Sequence, residues 1–111
     1  MEILYKPKSF LEIWDARQVD LGDIIKIVVD VHLQIIGVDV SMHADAEELM
    51  LDQGSEQKDL WGANLLISKT GYEIEYTSFI NIRPGQGNRS MEIQDQHLRD
   101  KIQKIITDLI K

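Results

Sequence analysis

The sequence predicts an α+β domain: a two-layer sandwich in which two β-hairpins form a four-stranded antiparallel sheet and three helices cover mainly one of its faces. Four segments alternate apolar and polar residues at every second position, as half-buried strands do, and three others carry apolar residues at helical spacing. The strand segments occur in two adjacent pairs, which gives the order α-β-β-α-β-β-α and antiparallel neighbours. Since the 111 residues contain no long linker, we assign residues 1–111 to a single domain.

Each predicted helix begins at a recognisable N-cap. Ser9 opens a capping box of the form Ser-x-x-Glu, ahead of a helix over about residues 10–19. Ser41 precedes a second helix over about residues 42–52. Asp95 precedes the closing helix, which has an apolar face. The residues of that face are Leu98, Ile102, Ile105 and Leu109.

Two hairpins account for the alternating segments. The first covers residues 24–40, and its apolar residues change from odd to even positions between the two strands, as a hairpin with an even-numbered loop requires. The second has a strand over residues 59–67, a turn at 69–71 and a long strand over 72–83 that ends at Pro84.

The charge of the chain is unevenly distributed. Its formal charge is −7, from 12 Lys+Arg and 19 Asp+Glu, and the whole excess lies before residue 59. This composition argues against general nucleic-acid binding, which relies on broad phosphate neutralisation. The absence of cysteine excludes disulfides, thiolate zinc sites and a cysteine nucleophile. With no signal-peptide core and no apolar run of about 20 residues, we expect an acidic cytoplasmic protein that does not enter a membrane.

An anion-binding loop is predicted over residues 81–90. This stretch contains two arginines, three side-chain amides, one serine and two glycines, which suit the recognition of phosphate or carboxylate. It is neither a Rossmann fingerprint nor a P-loop. The alternative is a turn whose arginines pair with acids of the first half and whose amides bind loose backbone. The predicted ligand-binding residues are Asn64, Asn81, Arg83, Gln86, Asn88, Arg89 and Ser90.

A second group of residues could act as catalytic bases or metal ligands. The candidate catalytic residues are Asp30, Asp39, His43 and Asp45. His43 and Glu47 stand four residues apart in a predicted helix, a spacing that suits two metal ligands on one face. Helix capping and solubility explain the same residues more simply, because acids are favoured near a helix start. We predict no cofactor.

One face of the predicted sheet would carry both polar and apolar side chains. Its polar residues are Lys26, Asp30, Asp39, Asn64, Asn81 and Arg83, and its apolar residues are Leu60, Leu66 and Phe79. A solvated sheet face is the simplest reading of the polar set. The apolar set suggests a partner, most economically a second copy of the chain. We therefore predict a homodimer formed through the sheet face or an edge strand.

Three segments carry a resemblance to a known family. They are His43-Ala44-Asp45, the DLWGxNL motif at residues 59–65 and the INIRPxQGNRS motif within residues 78–90. From about residue 20 to its C-terminus the chain resembles a family of small bacterial proteins known only as a domain of unknown function. The resemblance implies a compact bacterial cytoplasmic domain and favours a site at Asn64 and the loop residues, and it carries no activity or cofactor.

Three functions are compatible with these features. The first is a non-catalytic binding or assembly module, homodimeric, with an anion-binding loop at residues 81–90. The alternative is a small hydrolase or transferase that acts on a phosphorylated or anionic metabolite, possibly with a metal, using the acidic and histidine candidates as bases or ligands. The third is a regulatory protein that presents its acidic half to a basic partner.

Overall fold

The computed structural model describes all 111 residues. The strands are β1 (Glu2–Leu4), β2 (Ile24–Asp30), β3 (Ile35–Val40), β4 (Leu60–Ser68) and β5 (Gly71–Glu75). The α-helices are α1 (Phe10–Ala16), α2 (His43–Asp52) and α3 (Gln96–Leu109). Single 3-10 turns occur at Gln57–Asp59, Phe79–Asn81 and Pro84–Gln86. No helix is long and apolar enough to cross a bilayer.

The five strands form one antiparallel sheet in the order β1-β3-β2-β4-β5. The predicted α+β class, the three helices and the antiparallel sheet are confirmed. The predicted number of four strands is wrong, because the N-terminal segment adds β1, with Ile3 opposite Gly37 of β3. A strand of three residues is too short for alternation to reveal it.

The helices lie on both faces of the sheet. Helices α1 and α3 cover one face and form the larger hydrophobic core, with Ile27 of β2 and Trp61 of β4. Helix α2 covers the other face and forms a smaller core, whose buried residues are Val28, Val40, Ala46, Met50 and Leu60. The predicted two-layer arrangement is therefore corrected to three layers. Gly37 permits the close approach of α2, since a Cβ there would lie 3.2 Å from the Met50 sulfur.

Because of a β-bulge at Asp39, strand β3 contributes side chains to both cores. Ile27 is opposite Val38 and Lys26 is opposite Val40, so Asp39 is the additional residue, and its φ of 61° is left-handed. The bulge turns Val40 to the α2 side, whereas Val38 stays on the other side. The predicted common face for the even residues of β3 is thus wrong at Val40.

The predicted strand over residues 72–83 is also shorter than expected. It ends at Glu75, and the chain then crosses over β4 and forms the 3-10 turn at Phe79–Asn81. Gly62 makes this crossing possible, because a Cβ at Gly62 would lie 2.5 Å from the Cβ of Ser78. Helix α1 likewise ends at Ala16 rather than near residue 19.

Candidate functional site

The crossing segment is held to β4 by the side chain of Asn81. Asn81 is completely buried. Its Oδ1 accepts from the Gly62 N–H at 2.9 Å, and its Nδ2 donates to the Gly62 carbonyl at 3.0 Å and to the Met91 carbonyl at 3.1 Å. The Asn81 amide is therefore bound to backbone in this structure.

The guanidinium of Arg83 connects its own loop to α2 and to the start of β4. It lies 4.5 Å from the centre of the Trp61 ring, in cation–π contact. Nε, Nη1 and Nη2 all donate to the protein itself, so the planar fork predicted to hold an anion is bound internally. Its partners are the carbonyls of Ile80 (3.0 Å), Gln57 (2.6 Å) and Leu60, the carboxylate of Glu47 (3.5 Å) and the side-chain oxygen of Gln86 (3.4 Å).

Asn88 organises the loop in the same manner. Its side chain is buried and bonded at both ends, with Oδ1 accepting from the Gln94 N–H at 3.0 Å. Its Nδ2 donates to the carbonyls of Asn81 (2.8 Å), Ser90 (2.9 Å) and Glu92 (3.0 Å). The loop is thus ordered by amide side chains that bind backbone.

Only the outer members of the predicted anion site face solvent. Arg89 is exposed and makes no hydrogen bond or ion pair with the protein. Gln86 is exposed but donates to the Lys58 carbonyl at 3.0 Å. The Ser90 hydroxyl accepts from the Glu92 N–H at 3.1 Å. Among the predicted anion-binding residues, only Arg89 has a charged side chain that is not already bonded to another group of the protein.

Asn64 lies apart from the loop, in a polar row across the second face. Lys26, Asn64 and Glu75 are directly opposite one another on β2, β4 and β5. The Asn64 Nδ2 donates to Glu75 Oε1 at 2.8 Å and to the Thr77 carbonyl at 3.2 Å. Its Oδ1 is buried and has no partner at hydrogen-bonding geometry.

The predicted catalytic residue His43 is a buried residue of α2. Its Nε2 lies 2.8 Å from the Ala63 carbonyl, which can only accept, so this nitrogen carries the proton. Burial disfavours the charged ring and lowers the pKa of His43, an effect that the hydrogen bond to Ala63 partly opposes. A neutral, hydrogen-bonded histidine fits the space between α2 and β4.

The predicted metal pair is divided between two separate contacts. His43 contacts Ala63, whereas Glu47, four residues along α2, contacts the Arg83 guanidinium at 3.5 Å. Burial raises the pKa of Glu47, and Arg83 acts in the opposite direction. Nowhere in the structure do three or more histidine, aspartate or glutamate side chains form a group that could hold a metal ion.

Two of the aspartate candidates bind backbone at opposite ends of the first hairpin. At its turn, Asp30 is fully buried, and its Oδ1 accepts from the N–H groups of His32 and Leu33. Its Oδ2 accepts from the Ser55 hydroxyl at 2.7 Å. Asp39 lies at the bulge, four residues beyond the partner of Asp30 in β3 and so roughly 13 Å along the strand. These carboxylates do not converge on one substrate-sized site.

The carboxylates of Asp39 and Asp45, both predicted as catalytic candidates, also accept hydrogen bonds from the protein itself. The Asp39 carboxylate accepts from the N–H groups of Gln18 (2.8 Å) and Val19 (3.0 Å), and thereby fixes the chain that leaves α1. Asp45, in the first turn of α2, accepts from the Ser41 hydroxyl at 3.4 Å. Chain fixation thus explains Asp39, and a place in the first turn of α2, where acids are favoured, explains Asp45.

The apolar side chains predicted on the open sheet face have different environments. Leu60 is completely buried beneath α2, and Leu66 is half-buried. Phe79 is 77% exposed, on the 3-10 turn that crosses β4. Helix α2 and this turn thus cover the part of the second face around Leu60, whereas the part that carries Glu73 and Glu75 stays exposed.

A further candidate surface, which sequence reasoning missed, lies along β5. As the last strand in the sheet, β5 has one edge without a neighbouring strand. Beside it runs a groove of about 510 Å³ between β5 and α3. The groove is lined by Tyr72, Ile74, Tyr76, Arg99, Gln103 and Thr107, among others. The alternation of β5 is visible in the sequence, but its position at the edge depends on strand order.

Comparison with known proteins identifies one relationship. A family model described as "Protein of unknown function (DUF5674)" matches residues 2–109. No curated protein and no solved structure matches the chain. The family match covers nearly the whole chain, including the first helix, for which the sequence motifs showed no likeness. The chain belongs to the DUF5674 family of proteins of unknown function.

Proposed function

We propose that this protein is a non-catalytic binding or assembly module that takes up an extended polypeptide segment at the open edge of β5. The observation that carries the proposal is the row of unpaired backbone groups at Tyr72 and Ile74, beside the groove along α3. Strand addition to such an edge supplies main-chain hydrogen bonds, and pockets for alternate side chains supply specificity.

The hydrogen-bond pattern of the sheet determines which backbone groups of β5 point outwards. The Ile67 N–H bonds to the Asp23 carbonyl on the β2 side of β4, so the neighbouring residues of β4 direct their groups to β5. Leu66 is opposite Glu73, which therefore points inwards. The N–H and C=O groups of Tyr72 and Ile74 point away from the sheet and have no partner in the protein.

The other edge of the sheet is less suited to strand addition. Strand β1 has only three residues and is followed by Lys6-Pro7-Lys8. Lysine and proline are the residues that commonly protect edge strands from further pairing. From Gly71 to Ser78 the chain contains neither. This contrast supports β5 as the edge that receives a partner.

The same geometry restricts how the predicted homodimer, the predicted anion site and the enzyme alternative could be realised. Homodimer formation stays a prediction, with the β5 edge as its preferred route, because α2 covers part of the sheet face. Anion binding at residues 81–90 also stays a prediction and depends on Arg89, since Arg83 is bound internally. The hydrolase or transferase alternative requires Asp30, Asp39 and His43 to reach one substrate, and their separate hydrogen bonds argue against it.

The proposal can be tested by residue-resolved amide exchange. We would measure the amides of Tyr72 and Ile74 by NMR as protein concentration rises, and again with seven-residue peptides that alternate valine with lysine, glutamate or threonine. At least one occupant should slow exchange of these two amides and leave that of Glu73 unchanged, because the Glu73 N–H already faces β4.

Two substitutions at Ile74 test whether the slowed amide exchange arises from a strand added at the β5 edge. Ile74→Pro removes an outward N–H that β4 does not use, a change that edge strands tolerate, and should abolish the protection. Ile74→Val retains this N–H and should preserve it. If neither self-association nor any of the three peptides alters exchange at Tyr72 and Ile74, the proposed function is wrong.

A further inference from the structure

We propose that the occupant of the β5 edge is an extended peptide of a partner protein in which basic and apolar residues alternate. This inference rests on the proposed function and specifies its partner class. It follows from three properties of the edge: the charge on one side, the groove on the other, and the short length that is open. A second copy of the chain meets the charge requirement poorly.

Two carboxylates flank the open edge on the second face of the sheet. Glu73 and Glu75 are both exposed and lie two residues apart, so they point to the same side of β5. Neither forms an ion pair within the protein. Glu75 accepts one hydrogen bond from Asn64, and the carboxylate of Glu73 accepts none. Residues of an added strand on this side would meet uncompensated negative charge, which favours lysine or arginine.

On the opposite side of the edge the groove has an apolar and aromatic floor, formed by side chains of β5, and a polar rim of Glu73, Gln96, Arg99, Gln103 and Thr107. Tyr72, Ile74 and Tyr76 point towards α3 and pack on the edge of the larger core. The groove beside them measures about 510 Å³. Arg99 lies 4.9 Å from the centre of the Tyr76 ring and marks one end of the aromatic row. Alternate side chains of an added strand would pack on the floor of this groove, so a peptide that alternates basic and apolar residues matches both sides of the edge.

The open edge is short. Beyond Tyr76 the edge is already occupied, because Ile93 N–H donates to the Tyr76 carbonyl and Ser78 N–H donates to the Met91 carbonyl, both at 3.0 Å. At the other end the strand begins at Gly71, after the hairpin turn. The open stretch is the five residues of β5, or about 17 Å. An occupant of four to six extended residues, on the order of a short linear motif, fits this length.

Self-pairing of β5 is disfavoured by charge. A symmetric antiparallel register that uses all the open groups pairs Tyr72 of each copy with Ile74 of the other. That register brings the two Glu73 side chains directly opposite each other, a destabilising arrangement in a sheet. The formal charge of −7 on each copy adds long-range repulsion. A basic segment from another protein is attracted by both effects. Its lysines or arginines would lie opposite Glu73, and its positive charge is drawn to the net negative charge of the chain.

The experiment uses the full chain and fluorescein-labelled peptides of seven residues. One peptide alternates lysine with valine, a second alternates glutamate with valine, and a third has the lysines and valines of the first in a non-alternating order. Fluorescence anisotropy at low and at high salt gives the affinities. We expect the alternating lysine peptide to bind most tightly, with weaker binding at high salt.

Two charge-reversed variants separate local recognition from general attraction. Glu73→Arg should weaken binding of the lysine peptide about 10-fold and strengthen that of the glutamate peptide. Glu48→Arg changes the net charge equally on an exposed position of α2, and should change affinity by less than about 2-fold. Equal effects of the two variants, or equal binding of the non-alternating peptide, would overturn the inference.

Failure of this inference is distinguishable from failure of the proposed function. If the Tyr72 and Ile74 amides are protected by the threonine or glutamate peptide or by self-association, and not by the lysine peptide, the edge is a binding site with a different occupant. The basic-peptide inference is then wrong and the proposed function stands. If no occupant protects those amides, both are wrong.

Discussion

The side-chain amide of Asn81 bonds to both backbone groups of Gly62, at 2.9 Å and 3.0 Å. This is the pairing that a neighbouring strand would provide at the same position. It explains why β5 can end at Glu75 without leaving the backbone of β4 unsatisfied. The sheet is thus closed at this point by one side chain rather than by a strand.

Replacement of Asn81 should therefore be costly. Asn81→Ala leaves the buried N–H and C=O of Gly62 unpaired and should lower the free energy of unfolding by about 3 kcal/mol. Chemical denaturation with urea measures this change. Gln86→Ala, which removes an exposed amide of the same loop, is the control and should cost less than about 0.5 kcal/mol. Similar losses in the two variants would show that Asn81 has no special structural role.

Arg83 should contribute strongly to stability through its hydrogen bonds to backbone and its contact with Trp61. Arg83→Met removes the donors to three carbonyls and the contact with Trp61, and should cost about 2–3 kcal/mol at pH 7. Arg83→Lys should be almost as damaging, because an ammonium cannot reproduce the planar fork. Urea denaturation of each variant checks these values.

The pH dependence of the free energy of unfolding tests Glu47, the ion-pair partner of Arg83, through the variant Glu47→Gln. Burial raises the pKa of Glu47 in the folded state. Its contribution is therefore present below the unfolded pKa and declines as pH rises through the folded pKa. Glu47→Gln removes this decline, so between pH 4 and pH 7 its stability should fall less, or rise more, than that of the wild type. A larger fall in the variant would contradict the direction of the pKa shift.

Acid should destabilise the protein through His43. Burial lowers the pKa of His43 below 6.5 in the folded state, so unfolding takes up a proton at mildly acidic pH. The contribution is complete above the unfolded pKa and is lost as pH falls through 6.5, at no more than about 1.4 kcal/mol per pH unit. His43→Gln should flatten the stability profile between pH 7.5 and pH 5.5, as followed by urea denaturation.

An exposed histidine is the natural comparison for this effect. His97 lies on the surface of α3, and His97→Gln is the control that removes a histidine without touching the hydrogen bond between His43 and Ala63. If both variants retained the same acid sensitivity between pH 7.5 and pH 5.5, His43 would not be its source.

Periodicity was sufficient for most of the elements and insufficient for their assembly. The sequence patterns predict α2, α3, β2, β3 and β4 closely, because their residues repeat at fixed intervals. The side of the sheet that α2 covers depends on space at Gly37, and the end of β5 depends on space at Gly62. Such tertiary contacts have no local periodic signal.

For the candidate site, the residue types alone were insufficient to predict the role of each side chain. Asn81, Arg83 and Asn88 have the donors that an anion site needs, and the structure directs these donors to backbone carbonyls. The residue types are the same for both uses, so composition could not separate them. Conversely, Glu73 and Tyr72 are ordinary strand residues in the sequence. Their position at a free edge follows only from the strand order.

The bulge at Asp39 also has a consequence for unfolding. Strand β3 contributes Val38 to one core and Val40 to the other, on either side of a single residue. The same residue fixes the chain that leaves α1 through the N–H groups of Gln18 and Val19. Loss of packing in either core therefore displaces the strand on which the other depends, and the two cores should melt together in one cooperative transition.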